Sequence, residues 1–222
     1  MSSFMMKKEK RMNHNKMLLC ISSITLSLFI LLAFTYEHSF FQQIDVFIVE
    51  HVPYVRVEWV TSFMLFLAWL GGTHVMAVLT LLLVIFLAIW RRSVIAVLPP
   101  ILIMGGTALL NITVKEWIGR ARPEVNFLFE QPGYSFPSGH TMAAVSFGGL
   151  CIYLIYHYVD RRMVRMLSII VALILFVLMG ISRMYLGVHF LTDILGGTLF
   201  SLTWIMLSIL LLNQLNRHKA EA

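Results

Sequence analysis

Charge is scarce in this chain: Lys, Arg, Asp and Glu make up 13% of its 222 residues, about half the roughly 25% usual in soluble domains. With 59% of the residues hydrophobic, too little polar surface remains to clothe a soluble globule. Cysteine is nearly missing as well. Cys20 and Cys151 both fall in apolar runs, so neither a disulfide framework nor a thiolate metal centre is expected, and both read as small buried hydrophobes. Acids are few, and Glu116, Glu124 and Glu130 lie scattered rather than clustered for magnesium or calcium, so chemistry without a metal or other cofactor is expected. There is no internal repeat and no low-complexity linker, so residues 1–222 read as a single domain.

What the chain has in abundance is long apolar runs. A hydrocarbon layer of roughly 30 Å takes about 20 helical residues to cross, and six stretches approach or reach that length: 17–35, 74–90, 94–113, 141–158, 166–181 and 190–212. Pro99 and Pro100 stand in the first turns of the third, where they are expected to bend it. The fold class predicted is all-α, an integral membrane bundle of six transmembrane helices. Residues 36–72, between the first and second spans, read as an extracytoplasmic or interfacial segment. Its apolar part, Val57 to Leu70, is short and begins beside Arg56 and Glu58, so an additional interfacial helix is expected there rather than a seventh crossing.

Charge placement orients the bundle. With six crossings and both termini inside, twelve of the 17 cations face the cytoplasm, among them Lys7, Lys8, Lys10, Arg11, Arg91, Arg92, Arg217 and Lys219, while eight of the 11 acids face out. That is the bias cytoplasmic ends show. Residues 1–16 form a basic cytoplasmic tail, and the run that follows reads as a retained anchor rather than a signal peptide. The membrane rule accounts for the net charge of +6 without nucleic acid, and makes anionic headgroups the expected partner. Lys115, Arg120, Arg122 and Arg183 fall on the outer side, against the bias, and ask for a reason.

Three segments concentrate the unexplained polar groups: KEWIGRARP (115–123), PSGH (137–140) and SRMYLGVHFLTD (182–193). Each sits at the outer end of a predicted span. Lys115 and Arg122 are seven apart, close to two helical turns, and would share one side of a helix. A lysine point charge and an arginine fork together suit a phosphate cage, although snorkelling surface charges have the same look. Ser138 is a plausible helix cap, Gly139 permits close backbone approach, and free amides at a helix start bind anions. His140 would stand in the first turn. His189 and Asp193 are four apart, so a helix would let the carboxylate fix the imidazole tautomer and free the other nitrogen to attack. Asp193 is the one acid within the predicted spans, and a carboxylate there is functional by default. Arg183 would complete the cage. A transporter would also carry ionisable groups, but spread through the membrane depth rather than gathered at one face.

The spacing of Lys115 to Arg122-Pro123, Pro137-Ser138-Gly139-His140, and Ser182-Arg183 to His189 and Asp193 resembles the three signature motifs of the type 2 phosphatidic acid phosphatase superfamily. That resemblance runs from about His74 to Leu212. It implies a six-helix lipid phosphatase with an outward-facing site. It also implies His189 as a nucleophile that becomes phosphohistidine, Asp193 as its orienting group and His140 as the acid that protonates the leaving alkoxide. Lys115, Arg122, Ser138, Gly139 and Arg183 would bind the phosphate. Within the family the chain looks most like bacterial enzymes acting on phosphatidylglycerol phosphate, with undecaprenyl pyrophosphate or phosphatidic acid as alternative substrates and a silent lipid-binding scaffold as the non-enzymatic alternative. The same motifs serve soluble substrates, but Phe127, Leu128, Phe129, Tyr134 and Phe136 in the loop before the second motif suit a headgroup zone, which favours a phospholipid or polyprenyl phosphate.

Overall fold

The computed structural model describes residues 2–124, 126–129 and 131–221, with side chains for 9, 12–124, 126–129 and 131–215. Glu130 and the side chains of Lys7, Lys8, Lys10, Arg11, Arg217 and Lys219 lie outside the described residues. Among the described residues, six helices are long and apolar enough to cross a membrane: Met12–Thr35, Thr73–Arg91, Val94–Ile118, Gly139–Tyr158, Arg162–Tyr185 and Leu191–Leu215. The all-α, six-span expectation holds. The third runs to Ile118 rather than Thr113, so Lys115 and Glu116 stand inside it and Asp193 is not the one acid within a span.

We number the helices α1 (Ser2–Thr35), α2 (Ser39–His51), α3 (Glu58–Leu70), α4 (Thr73–Arg91), α5 (Val94–Pro100), α6 (Gly106–Ile118), α7 (Gly139–Tyr158), α8 (Arg162–Tyr185) and α9 (Leu191–Glu221). The third span is α5 and α6 joined through a π-helical segment, Ile101–Gly105. Two successive prolines remove amide donors, and helices tolerate this in a membrane where neighbours satisfy the freed backbone. Beyond the prolines, the Ile103 carbonyl of the π-helical segment accepts from the Thr107 hydroxyl (2.7 Å) and from the Trp204 indole (3.1 Å), which ties the segment to α9.

Between helices in lipid, close packing and interhelical hydrogen bonds replace the hydrophobic drive. On α1 and α9, Thr25 and Thr203 share a buried hydrogen bond of 2.8 Å, worth on the order of 1 kcal/mol in such settings. The hydroxyls of Thr107 of α6 and Ser146 of α7 share a hydrogen bond of 2.8 Å. Phe136 is fully buried and packs with Phe29 and Leu32 of α1. Its place in the core corrects the expectation that it serves the headgroup zone. Phe127, Leu128 and Tyr134 of the same loop are exposed. Cys20 is likewise exposed, on the outward face of α1, and not the buried residue expected.

Helix α3 spans 13 residues, about 20 Å at 1.5 Å per residue, too short for a crossing. Met64, Leu67 and Ala68 are buried against Tyr185, Leu186 and Val188, while Trp59 and Trp69 are exposed. Arg56 donates to the Tyr185 carbonyl (2.9 Å), and the Tyr185 hydroxyl accepts from the Val57 amide (3.1 Å). The short helix is thereby pinned to the end of α8.

Candidate active site

All three segments singled out in the sequence meet, at the C-terminal ends of α6 and α8 and the N-terminal ends of α7 and α9. The local reasons differ from those the spacing suggests. Helix α6 stops at Ile118 and Gly119 follows in the left-handed region (φ 68°), a common helix terminator. Arg122 therefore lies beyond the helix, and its phase relation to Lys115 is not helical. The two cations still converge: Lys115 Nζ and Arg122 Nη2 both donate to the Tyr134 carbonyl, the latter at 3.1 Å. His189 also precedes its helix, because α9 starts at Leu191. Asp193, in the first turn, reaches back to accept from the Phe190 amide (2.9 Å) and His189 Nδ1 (3.1 Å). This is one half of a capping box, and it makes the expected contact without a shared helical face.

The hydrogen bonds around His189 determine its tautomer. An arginine N–H can only donate, and Arg122 Nη1 lies 3.1 Å from His189 Nε2, so Nε2 offers its lone pair and the proton sits on Nδ1, facing Asp193. Burial pushes the imidazole down to about 3, against the opposing pull of Asp193. His189 is neutral at pH 7, with Nε2 unprotonated, which is the form a nucleophile needs.

Asp193 is fully buried and completely partnered. One oxygen accepts from His189, the Phe190 amide and the Ser135 hydroxyl; the other accepts from Arg120 Nη1 at 2.7 Å. Its backbone carbonyl accepts from the Ser138 amide at 3.1 Å, which ties the second segment to the third. Ser138 is fully buried and caps α7, its hydroxyl taking a hydrogen bond from Thr141 Oγ1 at 3.1 Å. At Gly139 a Cβ would lie 2.9 Å from Asn111 Oδ1, so the close approach that calls for glycine is to the α6 side chain. At Gly187 (φ 75°) a Cβ would lie 2.5 Å from the Asn126 carbonyl, so both the turn into His189 and the crowding require glycine.

His140, in the first turn of α7, lies within electrostatic reach of Arg183, His189 and Arg122. Its ring packs near the C-terminal end of α3, where a Cβ on Gly71 would be 3.3 Å from His140 Cδ2. Arg183 is fully buried, with Nε and Nη1 unpartnered among the described residues and Nη2 donating to the Gln131 side chain. A buried cation with open donors costs several kcal/mol, and an anion between Arg183, Arg122 and Lys115 would offset that cost. The cage leans on the 131–134 segment: Arg122 donates to the carbonyls of Pro132, Gly133 and Tyr134. A cavity of about 580 Å³ opens over Arg122, Gln131 and Val188.

Every residue the spacing nominated is therefore in this cluster. Motif spacing assigns no role to Asp45, Arg120, Gln131, Ser135 or Thr192. In the sequence Arg120 stands only among the cations expected on the outer side. For Asp45 the available signal was an acid among apolar residues of an amphipathic run, four before Val49, with which it shares the buried face of α2.

Comparison with known proteins identifies the family. A family model described as the PAP2 superfamily matches residues 96–217. Phosphatidylglycerophosphatase B of Bacillus subtilis is 34% identical over 170 residues, covering 76% of this chain and 83% of that one. Among solved structures, the transmembrane PAP2-type phosphatidylglycerolphosphate phosphatase from Bacillus subtilis superposes with a TM-score of 0.79 at 31% identity, covering 85% of this chain and 94% of the other. Aquifex aeolicus LpxE gives a TM-score of 0.59 at 25% identity over 74% of this chain and 94% of that one. The family match runs through all three segments, and the chain belongs to the PAP2 superfamily.

Proposed function

We propose that this membrane lipid phosphatase hydrolyses the terminal phosphate monoester of phosphatidylglycerol phosphate, giving phosphatidylglycerol, through a phosphohistidine on His189. The observation that carries the reading is the His189 environment: Nδ1 toward Asp193 and Nε2 toward Arg122, beneath a buried arginine with open donors. Phosphate enters over Arg122 and competes with the carbonyls of residues 132–134 and the Gln131 amide for the donors of Arg122 and Arg183. Lys115, Arg122 and Arg183 hold its oxygens, with the Ser138 and Gly139 start of α7 beside them, and stabilise the charge on the equatorial oxygens at the transition state. Nε2 attacks phosphorus, the alkoxide leaves with a proton from His140, and water activated by the same histidine then cleaves the phosphoimidazole.

One domain, 1–222, carries this activity, as a multi-pass protein of the cell's inner membrane with its site outside and its termini in the cytoplasm. The arrangement of donors asks for no metal. Phosphate release from phosphatidylglycerol phosphate, undecaprenyl pyrophosphate and phosphatidic acid, measured side by side on purified protein, tests the substrate. The highest kcat/KM is expected on the first, and a higher value on the polyprenyl substrate would reassign the enzyme to lipid-carrier recycling.

A further inference from the structure

Asp45 lies outside all three segments, yet it is only 1% exposed. A carboxylate that deep is costly unless fully partnered. It accepts from Arg120 Nη2 at 2.8 Å, from the Thr192 amide at 3.1 Å and from the Thr192 hydroxyl at 2.5 Å. Arg120 divides its fork. Nη2 goes to Asp45, while Nη1 goes to Asp193 at 2.7 Å and to Thr192 Oγ1 at 2.6 Å. Its guanidinium lies 4.4 Å from the Tyr36 ring centroid and 4.2 Å from that of Phe190. The cation is thus fixed by two aromatic rings and by two buried acids.

We infer that Arg120 and Asp45 are positioning residues for the reaction: Asp45 fixes the Arg120 fork, and the fork holds one Asp193 oxygen so that the other stays aimed at His189 Nδ1. Without Arg120 the carboxylate would be held through one oxygen only, by His189, Ser135 and the Phe190 amide, and could pivot about its last torsion, which is broad for an acid. Arginine suits the task because its planar fork serves two acceptors at a set angle, which a lysine ammonium does not. The inference rests on the nucleophilic role of His189 and extends the machinery to α2.

The ion pairs also tie α2 to α9, so the test must separate orientation from scaffolding. The proteins required are wild type, Asp45→Asn, Asp193→Asn and the double variant, purified in detergent, with initial rates on short-chain phosphatidylglycerol phosphate and thermal unfolding of each. By analogy with outer groups that orient metal-bound histidines, Asp45→Asn is expected to lower kcat about 10- to 100-fold, with KM changed by less than about twofold. In the Asp193→Asn background the same change should lower kcat by less than about twofold, because residues acting through one carboxylate are not additive. An equal loss in both backgrounds, or a change confined to KM, overturns the inference. Arg120→Lys keeps the charge and replaces Asp45→Asn in the cycle if the latter does not fold; it should lose at least about tenfold in kcat, and wild-type kcat in it is equally fatal. His189→Ala runs alongside. Turnover surviving there would defeat the phosphohistidine reading itself, whereas an additive cycle with inactive His189→Ala defeats only the positioning roles.

Discussion

Replacing Asp193 with Asn is a severe test of the tautomer argument, because the amide has one acceptor where the carboxylate has two. The carboxylate accepts from Arg120 on one oxygen and from His189, Ser135 and the Phe190 amide on the other. Asparagine must turn its NH2 toward one of these sides. Facing Arg120, it would set two donors against each other at a buried cation, where a charge-assisted bond of about 1.5–3 kcal/mol is lost. The amide oxygen therefore stays with Arg120 and the NH2 faces His189, where it opposes the uncharged Phe190 amide at a smaller cost, donates to Nδ1 and drives the proton onto Nε2, where Arg122 already donates. Regaining the productive tautomer costs about 2–3 kcal/mol on that count. Loss of the negative charge beside the imidazolium that forms on phosphorylation adds about as much, judged from the roughly ten-thousand-fold loss when the orienting acid of a serine protease is made an amide. At about 1.4 kcal/mol per factor of ten, kcat should fall about a thousand- to ten-thousand-fold. Thermal unfolding in detergent should show a folded protein. A folded variant with kcat within about tenfold of wild type would refute the tautomer reasoning.

The remaining expectations concern the cage and the two histidines. His189→Ala should abolish turnover on every substrate, and measurable steady-state phosphate release would contradict the covalent route. His140→Ala should lose far more on a lipid alkoxide than in the first step with an activated aryl phosphate, whose leaving group needs little proton donation; equal losses in that first step would remove the acid role. Gln131→Ala, which frees Arg183 of its neutral partner, should tighten inhibition by vanadate or inorganic phosphate about fivefold, the worth of one hydrogen bond of about 1 kcal/mol; weaker inhibition would mean that Gln131 binds the anion instead of competing with it. Because burial holds His189 well below its unfolded value of about 6.5, the unfolded chain takes up the extra proton. Stability is then lost as pH falls from about 6.5 toward about 3, so the melting temperature at pH 5 should lie below that at pH 7, and by less in His189→Gln. Phosphate release should persist in excess chelator, and its abolition would show that the donor set has been misjudged.

The six crossings were legible because an uninterrupted apolar run is a long-range property that needs no partner to be read. The site was legible because each of its segments is short and chemically unusual against an apolar background. Where the sequence misled, it did so through secondary structure. Lys115 and Arg122 meet at the Tyr134 carbonyl although Gly119 ends the helix between them, and His189 meets Asp193 from a turn. Spacing identified the right pairs because short separations keep side chains close in several backbone conformations. The Arg120–Asp45 pair escaped notice for the opposite reason. Its members are 75 residues apart, and the local mark of Asp45, its place four before Val49 in an amphipathic run, does not name a partner. Phe136 was read by composition as an interfacial aromatic, but α1 and α9 enclose it, a fact of tertiary packing alone.

The central claim is that His189 carries the phosphoryl group. It is tested most directly by rapid quench of the protein with 32P-labelled phosphatidylglycerol phosphate, followed by peptide mapping of the label. Acid-labile, alkali-stable label on His189 is predicted. It should be absent from His189→Ala and should accumulate in His140→Ala with an aryl phosphate, where the water-activating base is gone. Label on another residue, or no label under conditions where His140→Ala accumulates product stoichiometrically in a burst, would contradict it.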